Sequence, residues 1–194
     1  MAQVEAVDKI LYITLSNLGD ALMALPAFDY LRRKYRDARI TVVAAPRTKF
    51  LFENHPDVDE LVIFDKHAPV RHKIDLFGRF RRARFDVVLD LKNSFYRWGV
   101  PARFKNPAIV RFPSWVVHEH QRHLYQAMIA VEGPGVTPED LERANGRRNP
   151  SFIRDSHHDQ AEALLKAHGL LGGEAFVLVV PGARSQLKKW SPEG

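Results

Sequence analysis

The sequence predicts an α/β fold, a Rossmann-like parallel sheet covered by helices. Short apolar runs recur at residues 10–15, 39–44, 60–64 and 85–91. Stretches with helical spacing alternate with them, as in repeated βα units. The runs carry little polar alternation, which suits strands buried on both faces. The 194 residues are 45% hydrophobic and 27% charged, so the chain has apolar content for a core and is not of a disordered or collagen-like class.

The elements follow in order. Ile10 to Leu15 is a buried strand, and Ser16, Asn17 and Gly19 make a turn before a helix through Leu22, Leu25, Phe28 and Leu31. Arg39 to Ala44 is the second strand, Thr48 to Asn54 a helical stretch, and Glu60 to Phe64 the third strand. A basic helix precedes the fourth strand, Phe85 to Leu91. Ala108 to Phe112, between Pro107 and Pro113, is the expected fifth strand, and His118 to Val131 has helical spacing through Leu124, Met128 and Val131. Gly133, Pro134, Gly135, Pro138, Gly146 and Pro150 then mark a linker at about 133–150, dividing a first domain (1–150) from the start of a second (151–194). Beyond it lie a helix, Asp155 to His168, closed by Gly169, and an apolar strand, Ala175 to Val180. That strand opens a second α/β unit or, alternatively, adds an edge to the first sheet.

Charge narrows the partners without choosing one. Lys plus Arg total 29 against 23 acidic residues, a net charge of +6. Arg71, Lys73, Arg79, Arg81, Arg82 and Arg84 cluster against Asp75 alone, which suits phosphates, nucleic acid or an acidic membrane surface, or equally a solvated helix face. Leu76, Phe77 and Phe80 stand beside these arginines as apolar side chains for a membrane contact. The aromatics form no stacking motif for nucleic acid, so none is expected as a partner. With no cysteine, disulfides, thiolate metal sites and a cysteine nucleophile are excluded. His118, His120, His157 and His158 lack partner ligands at suitable spacing, and no metal is expected. Glu5 and Asp8 interrupt the N-terminus, so neither a signal peptide nor a spanning helix is expected there; the predicted location is cytoplasmic.

The turn Ser16-Asn17-Leu18-Gly19-Asp20 follows the first strand, at the edge where open α/β sheets bind ligands. Gly19 permits close backbone approach, and Ser16 or Asn17 can cap the helix. Asp20 has two readings: an acidic residue favoured by the helix dipole, or a general base facing the crevice. The turn lacks the three-glycine dinucleotide pattern and the Lys-Ser/Thr ending of a P-loop, which weakens both of those assignments. Arg47, Lys49, Arg71 and Lys73 follow strand ends and suit anionic groups, and Lys92, Asn93 and Arg97 follow the fourth strand, with Ser94 a possible cap.

Lys9 to Arg33, reading Lys-Ile-Leu-Tyr-Ile-Thr-Leu-Ser-Asn-Leu-Gly-Asp-Ala-Leu-Met-Ala-Leu-Pro-Ala and on to Leu31-Arg32-Arg33, resembles the opening of glycosyltransferase family 9, the ADP-heptose:lipopolysaccharide heptosyltransferases. Asp37 to Thr41, Asn54 to Val58 and Phe85 to Leu91 agree with it, as does the segment from His118 to Arg122. Pro181-Gly182-Ala183 with Lys188-Lys189-Trp190-Ser191-Pro192-Glu193 resembles the family's donor-phosphate loop, although Ser191 stands where the family usually has proline.

The resemblance implies a two-domain GT-B architecture and an inverting transfer of heptose from ADP-heptose to the inner core of lipopolysaccharide, with no metal or other cofactor. Asp20 then takes the role of base. Gly19, Gly182 and Lys188 meet the donor, Lys188 neutralising the leaving diphosphate, while Asn17, Arg47, Arg71, Lys73, Lys92 and Asn93 meet the acceptor. Peripheral contact with the cytoplasmic face of the inner membrane follows from such an acceptor. The family's later acidic and glycine-rich motif has no counterpart, so the chain reads as C-terminally truncated and is expected not to turn over donor by itself. The competing reading is a noncatalytic, anion-binding Rossmann-like module for anionic lipid or nucleic acid.

Overall fold

The computed structural model describes residues 6–145, 153, 155–170 and 175–179. The chain divides into two units, Met1–Phe152 and Ile153–Gly194. In the first, β1 (Lys9–Ile13), β2 (Arg39–Ala44), β3 (Glu60–Ile63), β4 (Val87–Asp90) and β5 (Phe104–Lys105) form one sheet in the order β3-β2-β1-β4-β5. All pairings are parallel; Ile10 stands opposite Ile40 on one side and Val87 on the other. The helices are α1 (Leu18–Lys34), α2 (Val70–Ala83), α3 (Phe95–Gly99), α4 (Glu119–Glu132) and α5 (Pro138–Ala144).

The apolar runs lack polar alternation because both faces of the sheet are covered. From β1, Ile10 and Tyr12 enter a core with Ala24, Phe28 and Leu31 of α1 and Leu124 and Met128 of α4. Leu11 and Ile13 point the other way, into a core with Leu76 and Phe80 of α2 and Tyr96 of α3. Tyr12 and Phe28 meet edge to face at 5.5 Å, and the Tyr12 hydroxyl donates to the Ala24 carbonyl at 2.8 Å, so the buried phenol keeps a partner.

Several motifs behind the family resemblance act as clamps. Arg32 of α1 donates to the carbonyls of Arg36, Ala38 and Asp57, at 2.8, 2.7 and 2.8 Å, and to the Asp59 carboxylate at 3.1 Å. It thereby ties the segment before β2 to the segment before β3. Asp86 accepts from the amides of Asp8 and Lys9, both at 2.9 Å, and fixes the amino end of β1 against β4.

Four expectations are corrected. The fifth strand is Phe104–Lys105 rather than Ala108 to Phe112, because the chain must pass β4 where Asn106 can bond Asp90. The expected linker contains α5, whose Thr137 hydroxyl accepts from the Asp140 amide at 3.2 Å and whose Leu141 is buried in the first core. Leu76 and Phe80, offered for a membrane contact, are 6% and 1% exposed and belong to the second core. Residues 175–179, expected as strand, pair with no strand among the described residues, and their side chains are exposed; Val180 lies outside them.

In the second unit, α6 (Asp155–Ala167) is followed by Gly169, whose φ of +78° lies in the region glycine tolerates. The Leu170 amide reaches back to the Leu165 carbonyl at 3.0 Å.

Candidate active site at the carboxyl edge of the sheet

Parallel strands bring their carboxyl ends to one edge, and the sheet order reverses direction between β1 and β4, so a crevice opens there. The loop after β1 delivers the first turn of α1. Asn17 is its N-cap residue by backbone conformation, φ −93° and ψ 145°, but its side chain caps no amide, contrary to the sequence expectation. Its Nδ2 instead donates to Oδ2 of Asp20 at 2.9 Å. Both residues are exposed. A Cβ on Gly19 would meet nothing within 4 Å, so the missing side chain serves no packing within the described chain and leaves open space at the start of α1.

The loop after β4 is built on a residue absent from the sequence-derived set. Asp90 is fully buried, and its carboxylate accepts from the Lys92 amide at 3.0 Å, the Ser94 amide at 2.8 Å and the Ser94 hydroxyl at 2.6 Å. Asn106 completes the frame, accepting from the Asp90 amide at 2.9 Å and donating to its carbonyl at 3.0 Å. Asn93, between these contacts, has φ +53°, a left-handed conformation that asparagine tolerates better than most residues. The signal in the sequence was an aspartate at a strand's end with Asn93-Ser94 beginning three residues on, residue types that favour local turns.

The loops converge on a small cavity of about 50 Å³ lined by Thr14, Ser16, Ala45, Phe64, Lys92 and Ser94. The Lys92 ammonium lies 5.4 Å from the centre of the Phe64 ring. Thr48, buried behind Arg47, donates weakly to the carbonyls of Leu15 and Ala45, at 3.4 and 3.3 Å, and joins the loops after β1 and β2. Arg47 itself is exposed, and Lys49 is paired with Glu53 at 2.8 Å. Arg71 and Lys73 sit in the first turn of α2; Arg71 is exposed, whereas Lys73 donates to the Lys66 carbonyl at 2.6 Å. Arg97 is buried and donates to the Asn106 carbonyl at 3.2 Å, a support for the loop. Gly182 and Lys188 lie outside the described residues.

The start of α4 adds a second unforeseen residue. His123 is 8% exposed, and its Nδ1 has no hydrogen-bond partner among the described residues. Burial pushes its pKa down; the carboxylates of Glu119 and Asp20 oppose this and Arg122 adds to it. Arg122 is held by Glu119 of its own helix at 2.6 Å, and its guanidinium lies 5.5 Å from the ring centre of Phe112, which precedes α4. Among the described residues, no three His, Asp or Glu side chains come together as a metal site, and no helix is long and apolar enough to cross a membrane.

Solved structures share this architecture. A glycosyl transferase family 9 protein from Veillonella parvula superposes with a TM-score of 0.69 at 22% identity, over 96% of this chain and 57% of that one. The fold is the one these transferases share. The ADP-heptose lps heptosyltransferase II of E. coli gives a TM-score of 0.53 at 17% identity, over 84% of this chain and 51% of that one. E. coli heptosyltransferase WaaC with ADP-2-deoxy-2-fluoro heptose gives 0.50 at 12% identity, over 70% and 53%. The chain thus spans little more than half the length of these structures. No family model and no curated protein matches the sequence.

Proposed function

We propose that the chain supplies the acceptor side of an inverting glycosyltransferase that moves heptose from ADP-heptose to the inner core of lipopolysaccharide at the cytoplasmic face of the inner membrane. The observation that carries this is the exposed Asp20 carboxylate, oriented by Asn17 where the α/β crevice opens. A base in that place takes the proton of an acceptor hydroxyl as the bond to the anomeric carbon forms, and ADP leaves from the opposite face. Arg47, Lys92 and Asn93 stand on loops that follow strand ends, and Arg71 and Lys73 in the first turn of α2, where cations can meet the phosphates and carboxylates of such an acceptor. Gly19 leaves room for the nucleotide sugar at the start of α1, and Gly182 with Lys188 holds the donor diphosphate, Lys188 offsetting its charge as ADP departs. No cofactor takes part in this scheme.

Acceptor binding tests the proposal on the 194-residue chain itself. Titration with an inner-core oligosaccharide, followed by amide NMR, is expected to shift residues 14–20 and 91–94. Arg47→Ala with Lys92→Ala is expected to weaken binding roughly tenfold, since each removes a charge-assisted contact. Shifts confined to another surface, or none at millimolar saccharide, would remove the acceptor assignment.

A further inference from the structure

The outer side of the α2–α3 pair is apolar in a way the core does not require. Val70 and Ile74, one turn apart on α2, are 69% and 62% exposed, and Phe95 and Trp98, one turn apart on α3, are 69% and 71% exposed. Ile74 and Phe95 meet at a cavity of about 260 Å³ whose other walls are Phe64, Phe77, Tyr96, Lys73 and Ser94. The Phe77 and Phe95 rings are 5.2 Å apart, and a Cβ on Gly99 would come within 2.3 Å of the Phe77 ring, so glycine there lets α3 lie close on α2. Trp98 is not loose: its ring rests 4.8 Å from the guanidinium of Arg97, which is buried. Two helices thus hold four large apolar side chains exposed, two of them, Ile74 and Phe95, lining one apolar hollow, more than scattered surface exposure explains.

Cations flank the patch. Arg71 and Lys73 rise from the same turn of α2, and the Lys92 ammonium lies over the ring of Phe64, one of the cavity's walls. A second copy of the chain would bring these like charges together, and a nucleic acid would have no use for Val70 and Ile74. An anionic bilayer satisfies both parts, with aromatic and aliphatic side chains at the acyl boundary and Lys and Arg at the headgroups.

We infer that α2 and α3 form a docking surface for an anionic phospholipid bilayer, with Val70, Ile74, Phe95 and Trp98 entering the interface and Arg71, Lys73 and Lys92 meeting the headgroups. The surface replaces the Leu76 and Phe80 side of α2, which faces the core. It does not depend on sugar transfer, because a vesicle without saccharide suffices as ligand; failure of vesicle binding and failure of acceptor binding are separate results.

The test is sedimentation of the 194-residue chain with phosphatidylcholine vesicles, with and without phosphatidylglycerol. Binding is expected only where phosphatidylglycerol is present, and it should weaken as salt rises. Phe95→Ser with Trp98→Ser should weaken it roughly tenfold or more, as should Arg71→Glu with Lys92→Glu, all four side chains being exposed. Ile109→Ser, 84% exposed elsewhere, should leave binding unchanged. Absence of binding to the anionic vesicles, or equal binding by both double variants, overturns the inference. So does self-association that Phe95→Ser with Trp98→Ser abolishes in a chain that ignores vesicles, for the surface would then belong to a second copy.

Discussion

Asn17 holds Asp20 through an Nδ2–Oδ2 bond of 2.9 Å, although Asn17 sits where a helix cap would bond the backbone. The helix start thus gives up a side-chain cap, and the side chain orients a carboxylate instead. A dipole role alone would not need that orientation, because the N-terminal field favours an acidic residue in any rotamer of the first turn.

Asp20→Asn separates the two roles. The amide oxygen still accepts from Asn17, so the fold should persist. In an enzyme joining these residues to a complete donor half, the transfer rate is expected to fall about a hundredfold or more. A parent-like rate with a slightly lowered melting temperature would return Asp20 to a purely structural role.

Asp90→Ala tests the loop after β4. The substitution removes the acceptor of three bonds at a fully buried position and strands the Lys92 and Ser94 amides. A destabilisation of about 3 kcal/mol is expected, within the range for buried bonds to a charged group, and urea unfolding measures it. A loss below about 1 kcal/mol would mean that water or a rearranged loop replaces the carboxylate.

His123 sets a pH dependence. Its pKa in the folded chain lies below the ordinary histidine value, chiefly through burial, so the unfolded chain binds the proton more tightly. The neutral imidazole is accommodated above the unfolded pKa, and stability is lost as pH falls from there through the folded pKa. Denaturation midpoints between neutral and mildly acidic pH should therefore drop more in the parent than in His123→Gln. Parallel curves would show that His123 gains water on protonation at no cost.

How far the sequence revealed these features depended on where their causes lie. The strands of the central sheet were legible because burial on both faces writes itself as an unbroken apolar run, as in Ile10 to Ile13. The two-residue β5 was not, since Phe104 and Lys105 pair at the sheet's edge and only the distant Asn106–Asp90 contact fixes their place. The α5 signal was present in Thr137-Pro138-Glu139-Asp140, a capping box with proline in the first turn, but it lay among the glycines and prolines of an expected linker. In the crevice, loop positions of Arg47, Lys92 and Asn93 followed from strand ends. Asp90 and His123 escaped notice because their importance comes from burial, which single residue types do not announce.

Arg32 carries a wider lesson for relatives of this chain. Its four acceptors lie in or beside two of the segments, Asp37 to Thr41 and Asn54 to Val58, that make the sequence resemble a glycosyltransferase family. Selection for a folded sheet alone would preserve those segments after catalysis had been lost. Under the role proposed for Asp20, a descendant that kept Arg32 and its acceptors but replaced Asn17 and Asp20 would still look like kin, and divergence at those two exposed positions would mark it as a retired enzyme.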